Sequence, residues 1–222
     1  MQASYQNVSD ILMDAAQVLL PPERITVSQA AEKYRYLYNP GSYIGEWRND
    51  SAPYLVEVMD ILASRHYKSA IYVKPAQSGG TEVTLNWMLY GMICDPADMY
   101  MYQTKESTAR DFSKDKLAKM IRHCPDAKAQ LVPGRAGDTT HTKLFRSGTR
   151  LKLSWPSINE MSGHSTGRIA LTDYDRMEQD VDGEGSPFWL AQKRTTTFGS
   201  FAMTFVESSP GFPILQSDWR AP

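Results

Sequence analysis

Residues 71–87 read IYVKPAQSGGTEVTLNW: a β-rich run, a loop of small residues and an apolar helical stretch in direct succession. A strand, a glycine-bearing loop and a helix start form a backbone cradle for phosphate, because consecutive N–H groups and the helix N-terminus point at one anion. Gly79 and Gly80 permit close approach and positive φ, and Thr81 falls in the first helical turn, where a hydroxyl helps hold Mg²⁺. The phosphate-loop pattern G-x-x-x-x-G-K-[ST] asks for Lys where this chain has Gly80 and for Gly where it has Lys74. The cation is relocated to the other end of the loop, and a long flexible point charge entering from there reaches the same β/γ-phosphates. Taken alone, the stretch also fits a plain strand-to-helix turn.

Working outward, strands and helices alternate from Ser69 onward. The spacing predicts a strand over Ser69–Val73, a helix from Gly80 to about Ile93, a strand over Asp98–Gln103 and a helix over Lys105–His123. Lys143–Arg146 and Arg150–Trp155, joined through Ser147-Gly148, read as a hairpin, and Arg168–Thr172 and Ser200–Val206 as further strands. This alternation argues for an α/β fold with a mostly parallel sheet and flanking helices. Residues 1–68 read as a helical and irregular extension, with amphipathic helices at Val8–Leu20, from an N-cap at Thr26 to Arg35, and at Ala52–Ser64 around an aromatic, turn-rich Tyr36–Asp50. The expected organisation is thus an extension over 1–68 and a phosphate-loop core over 69–222.

The 222 residues are 41% hydrophobic and 22% charged, enough for one substantial core. Twenty-four basic against 25 acidic residues give a net charge of −1, so any nucleic-acid contact must come from a local basic face. Cys94 and Cys124 have no metal spacing and are expected as free buried thiols. With no stretch of about 18 apolar residues and no signal-like N-terminus, a soluble intracellular protein without membrane contact is expected.

Five segments in order are more specific than any one of them. They are the deviant loop from Lys74, QTKESTARDF (103–112), IALTDYDRM (169–177), DGEGSPFWLAQKR (182–194) and ESSP (207–210). From about Thr26 to Pro210 the chain resembles the large subunit of lambda-type bacteriophage terminases, the motor that packages viral DNA. The resemblance implies a P-loop NTPase-like domain that binds and hydrolyses Mg²⁺-ATP to move double-stranded DNA. It also implies partners: a small terminase subunit, a portal protein and further copies in a ring, in the host cell cytoplasm. Lys74, Gln77, Ser78, Gly79, Gly80, Thr81 and Glu82 then hold phosphate, with Tyr43, Trp47 and Tyr54 on the adenine side. Thr81 and Asp175 hold the metal, with Asp173 a competitor because it directly follows the apolar run. Ser208 and Ser209 stand at the coupling motif. Arg176 occupies the place of the family's water-activating Glu, leaving Glu178 as the nearest substitute and Glu82 and Glu184 as remoter ones.

Arg168, Arg176, Lys193 and Arg194 are candidates for a charge given to a neighbouring subunit's phosphate, and Lys105, Arg110, Lys114, Lys116 and Lys119 for DNA contact. The family's nuclease domain is expected to be missing from this chain. Two rival readings share these features: a scaffold domain with a degenerate nucleotide loop, suggested by Gly80 and Arg176, and a helicase-like translocase.

Overall fold

The computed structural model describes residues 24–210 together with Asn7 and Leu12. The helix expected over Val8–Leu20 lies outside the described residues. The chain enters through helix α1 (Val27–Tyr34), started by a reciprocal cap: Gln29 N donates to Thr26 Oγ1 at 3.3 Å and Thr26 N to Gln29 Oε1 at 3.0 Å. Its small buried face, Val27, Ala30 and Ala31, permits close helix packing.

Tyr36–Asp50, expected to be irregular, contains a hairpin of β1 (Tyr36–Asn39) and β2 (Tyr43–Glu46). Gly41 supplies the left-handed residue of its turn (φ 85°). The helix expected over Ala52–Ser64 starts as a tight 3-10 turn at Pro53–Leu55 before α2 (Val56–Ile61). Next come β3 (Ser69–Val73), α3 (Gly80–Ile93) and β4 (Met99–Tyr102), as the periodicity predicts.

Glu106–His123 is one helical run, α4 (Glu106–Asp111) and α5 (Ala118–His123) joined by a wider π segment at Phe112–Leu117. A short α6 (Pro125–Gln130), with Pro125 at its first position, follows. Then come β5 (Thr142–Leu144), β6 (Arg150–Ser154), α7 (Ile158–Ser162), β7 (Arg168–Thr172), α8 (Pro187–Thr195) and β8 (Met203–Ser208). The last strand begins later than the expected Ser200 because a 3-10 turn occupies Thr196–Phe201, and it runs on to Ser208.

Six strands form one sheet in the order β3-β8-β7-β4-β6-β5, parallel throughout except for β5, which pairs antiparallel with β6. Alternation along the central strands sends side chains to opposite faces. Met99, Met101, Ala170 and Phe205 pack beneath α3, together with α1, α2, Trp47 and Leu55. Tyr100, Tyr102, Ile169, Leu171 and Val206 pack against α7 and α8. Helix α3 is buried almost all round from Val83 to Met92, because the sheet and the N-terminal elements cover it from different sides. Cys94 and Cys124 are both buried, and neither is in a disulfide. Among the described residues no helix is long and apolar enough to cross a membrane.

This topology puts the carboxyl ends of β3, β8 and β7 side by side. In open parallel sheets that edge is where ligands bind.

Candidate nucleotide site

After β3 the ladder continues for one more bond, Lys74 N to Ser208 O at 3.0 Å. The loop then turns through two left-handed residues, Gln77 (φ 62°) and Gly79 (φ 85°), with Ser78 Oγ donating to Pro75 O at 2.7 Å. Gly79 has a second reason to be glycine: a Cβ there would sit 2.7 Å from Leu55 Cδ1.

The Lys74 side chain folds back across the start of α3. A Cβ on Gly80 would lie 2.0 Å from Lys74 Cε, 2.8 Å from its Cδ and 2.4 Å from Glu207 Oε2. The two departures from the usual loop pattern are therefore one feature. Lysine at the loop's start runs over position 80, and only a residue without a side chain leaves it room.

Lys74 Nζ lies 3.0 Å from Ser209 Oγ, to which it donates, and 3.0 Å from Glu207 Oε2. Both charged groups are buried, Lys74 at 9% and Glu207 at 3% exposure. The two form a buried ion pair. Burial pushes the Glu207 carboxyl above its ordinary value, and the Lys74 ammonium only partly offsets this.

A cavity of about 240 Å³ opens at this edge, lined by Thr81, Gln103, Thr172, Asp173 and Glu207 and closed on the far side by the Glu106–His123 helix through Asp111, Asp115 and Lys116. Asp173 follows β7 directly, in a left-handed conformation (φ 54°). Asp175 lies in the next turn, exposed, and is not among the cavity's lining residues; its N–H donates to Ser208 Oγ at 3.0 Å. Glu178 is likewise exposed and outside the lining. Of the two acids left open at this strand end, Asp173 is the one brought together with Thr81. A threonine hydroxyl and a carboxylate in one cavity are hard oxygen donors of the kind Mg²⁺ takes alongside water and phosphate. No cluster of three or more His, Cys, Asp or Glu residues suited to a metal occurs among the described residues.

Glu82 is engaged elsewhere. Arg35, itself 5% exposed, reaches it at 2.7 Å and donates through Nε to Asn86 Oδ1 at 3.2 Å, tying α1 to α3. Trp47 is buried in the main core and donates Nε1–H to Asn49 Oδ1 at 2.8 Å. Tyr43, whose hydroxyl donates to Glu46 O at 2.9 Å, shares with Trp47, Arg48, Ser51 and Ala52 a cavity of about 310 Å³; Tyr54 is exposed and not part of its lining. Leu55, in the same 3-10 turn as Tyr54, meets Gly79, so the aromatic segment abuts the loop.

Of the cationic candidates, Arg168 is buried and bonded to Asp95 O at 2.8 Å and to the Asp95 carboxylate. Arg176 and Lys193 are exposed and Arg194 is half-buried. Lys105, Arg110, Lys114 and Lys116 are exposed, whereas Lys119 donates to Asn39 Oδ1 at 3.0 Å.

A parallel α/β sheet with a glycine-bearing loop between its edge strand and a buried helix, and a carboxylate on a neighbouring strand end, defines a P-loop-like nucleotide-site domain. Residues 41–221 match the family model for the phage terminase large subunit gpA, ATPase domain, and the chain belongs to that family. Among solved structures, the bacteriophage HK97 large terminase superposes with a TM-score of 0.62 at 12% identity, over 83% of this chain and 38% of that one, a likeness of fold. The chain thus spans well under half of that protein's length. The large terminase ATPase domain of Thermus phage P74-26 gives 0.46 at 9% identity, over 67% of this chain and 62% of that one. Comparison with curated protein sequences finds no match. Family and fold agree with the resemblance drawn from the five sequence segments.

Glu207 is the site group that sequence reasoning passed over. Its signal was strand alternation, which places it on the same side as Phe205, and Phe205 packs on Trp87 of α3 with ring centroids 6.1 Å apart.

Proposed function

We propose that this ATPase domain binds Mg²⁺-ATP at the carboxyl edge of β3, β8 and β7 and hydrolyses it to drive double-stranded DNA into a viral procapsid. In this reading it works in the host cell cytoplasm, in a ring of like subunits with a small terminase subunit and a portal protein. The observation that carries the nucleotide assignment is the Lys74 side chain, whose Cδ and Cε cross the start of α3 over a glycine that makes room for them.

Lys74 and the loop N–H groups from Gln77 to Thr81 take the phosphates, where a helix N-terminus already favours negative charge. Thr81 Oγ1 and Asp173 hold the metal, with Asp173 preferred to Asp175 because it lines the cavity that Thr81 lines. A bound Mg²⁺ supplies charge neutralisation on the phosphates. Tyr43 and Trp47, which share a cavity in the aromatic segment, are the side chains assigned to the base in this reading. Ser209 and Ser208 link Lys74 to the Asp175 turn and carry a change at the phosphates to β7.

The scaffold alternative draws on the buried Lys74–Glu207 pair, which already satisfies the lysine. Titration with a fluorescent ATP analogue separates the two. A charge-assisted contact is worth about 1.5–3 kcal/mol, so Lys74→Ala is expected to weaken binding roughly 10- to 150-fold. Binding within about 3-fold of the unmodified chain refutes the relocated lysine.

A further inference from the structure

The cavity has a phosphate cradle and a metal-binding pair, yet each acid that the sequence offered for water activation is misplaced for it. Glu82 is held by Arg35, and Glu178 and Glu184, both exposed, do not line the cavity. Hydrolysis needs a group that orients the attacking water in line with the leaving group. Four carboxylates line the cavity: Asp111, Asp115, Asp173 and Glu207. Asp111 and Asp115 are exposed on the helix across from the loop, and Asp173 is exposed at the end of β7. Glu207 alone of the four is buried.

We propose that Glu207 is the carboxylate that accepts the proton of the attacking water, and that Lys74 masks it until a triphosphate draws the lysine away. This rests on reading the cavity as an ATP site. Three observations carry it. Glu207 sits on a strand hydrogen-bonded on both sides, opposite Tyr72 of β3 and Thr172 of β7, so its backbone is fixed between the loop strand and the acid-bearing strand. Its Oε2 lies 2.4 Å from where a Gly80 Cβ would be, at the helix end towards which terminal phosphates are drawn. That oxygen is buried, with the Lys74 ammonium 3.0 Å away as its counter-charge.

The nucleotide-free pairing explains how such a base is kept silent. Lys74 Nζ, 3.0 Å away, neutralises the carboxylate while no phosphate competes for the ammonium. When the phosphates take Lys74, the lysine keeps Ser209 within reach and Glu207 is left facing the cavity. The carboxylate then takes a proton from water as the water oxygen bonds to the γ-phosphorus. The bond from that phosphorus to the β–γ bridging oxygen breaks, and ADP leaves with the electron pair. The proton passes from Glu207 to the released inorganic phosphate, so the carboxylate is regenerated.

The test compares the full chain with Glu207→Gln, which keeps shape and a neutral acceptor for Lys74, and with Glu207→Asp, which keeps charge but retracts the oxygen by one methylene. Folding is checked by far-UV circular dichroism, ATP-analogue affinity by fluorescence and turnover by phosphate release. Glu207→Gln is expected to bind the analogue as tightly as the unmodified chain or up to about 10-fold tighter, because Lys74 is no longer held by a charge. Its turnover is expected to fall roughly 100-fold or more, the range for loss of a positioned general base. It should also lose the gain in affinity that aluminium fluoride gives ADP in the unmodified chain.

Turnover within about 3-fold of the unmodified chain overturns the assignment. So does a parallel loss of affinity and turnover, which is what a purely structural post for Lys74 predicts. If Glu207→Gln fails to fold, Glu207→Asp decides: bound analogue with turnover reduced about 10-fold or more supports the base, and unchanged turnover overturns it. An unmodified chain that neither binds nor hydrolyses ATP defeats the underlying ATP-site reading instead.

Discussion

Gly80→Ala tests whether the glycine and the relocated lysine are one feature. Gly80 has no positive φ, so its backbone tolerates alanine. Backbone entropy alone then predicts that the substitution stabilises by about 0.5–1 kcal/mol. The packing predicts the opposite. The new Cβ would stand 2.0 Å from Lys74 Cε and 2.4 Å from Glu207 Oε2, against roughly 3.5–4 Å for unstrained contact. The lysine arm must therefore move by about 1.5 Å or more, and its 3.0 Å approaches to Glu207 and Ser209 cannot both survive. Removing one member of a buried ion pair costs about 3–5 kcal/mol. Here both remain and relax, so the overpacking range of about 1–3 kcal/mol applies. Net of the backbone gain, Gly80→Ala is expected to destabilise by up to about 2.5 kcal/mol, or up to roughly 10 °C in Tm for a domain of this size. The assay is urea denaturation of four proteins: unmodified, Gly80→Ala, Lys74→Ala and the double variant. In the Lys74→Ala background the principal clash is gone and alanine at 80 should be near neutral or stabilising. A coupling energy below about 0.5 kcal/mol, the additivity expected of independent sites, refutes the reasoning.

Two further outcomes follow from other parts of the fold. Arg35→Ala removes a 5%-exposed guanidinium from Glu82 and leaves the buried Asn86 Oδ1 without its donor, so chemical denaturation should show a loss of about 3 kcal/mol, and a loss under about 1 kcal/mol counts against this clamp between α1 and α3. Burial pushes the Glu160 carboxyl up, but hydrogen bonds from Lys152 at 2.7 Å and Ser154 at 2.5 Å outweigh it and hold it below its ordinary 4.5. A folded value below the unfolded one contributes stability above the unfolded value that is lost as pH falls through the folded one. Glu160→Gln should therefore lower stability by about 1 kcal/mol at pH 7, with the gap closing below pH 4.5, and a gap that persists unchanged in acid refutes the assignment.

Much of the core was legible because its signals are local. The apolar runs of β3, β4 and β7 and the bounds of α3 follow from composition and glycine placement, and Lys74 stood out by its offset from a known pattern. The hairpin of β1 and β2 was not legible, since Tyr36, Tyr38, Tyr43 and Ile44 are all substantially exposed and show no clean alternation of burial. The π segment at Phe112–Leu117 is a matter of helix pitch that residue types scarcely encode. Asp173 and Asp175 lie two residues apart, and only the left-handed turn at Asp173 decides which of them lines the cavity. Glu207 was missed because β8 was expected to end at Val206. Extended to Ser208, the strand carries the alternation one step further and sends Glu207 towards α3.

That extension changes what the Ser208-Ser209 segment is. Ser208 belongs to a central strand rather than to a loop, buried and paired through Val73 with the strand that launches the loop. Its carbonyl accepts from Lys74 N, its hydroxyl accepts from Asp175 N, and the adjoining Ser209 hydroxyl accepts from Lys74 Nζ. Three short bonds thus join the loop lysine, the end of β8 and the turn after β7. A parallel sheet resists sliding of one strand past its neighbours, because each slip breaks a row of evenly spaced bonds. Movement of Lys74 from Glu207 to a phosphate consequently has two outlets, the Ser209 side chain and the Asp175 turn, and both lie on the exposed carboxyl edge rather than in the core. A conformational signal from this site is expected to leave by the β7–α8 loop, where Arg176 and the exposed acids Glu178 and Asp180 stand, and not through the sheet.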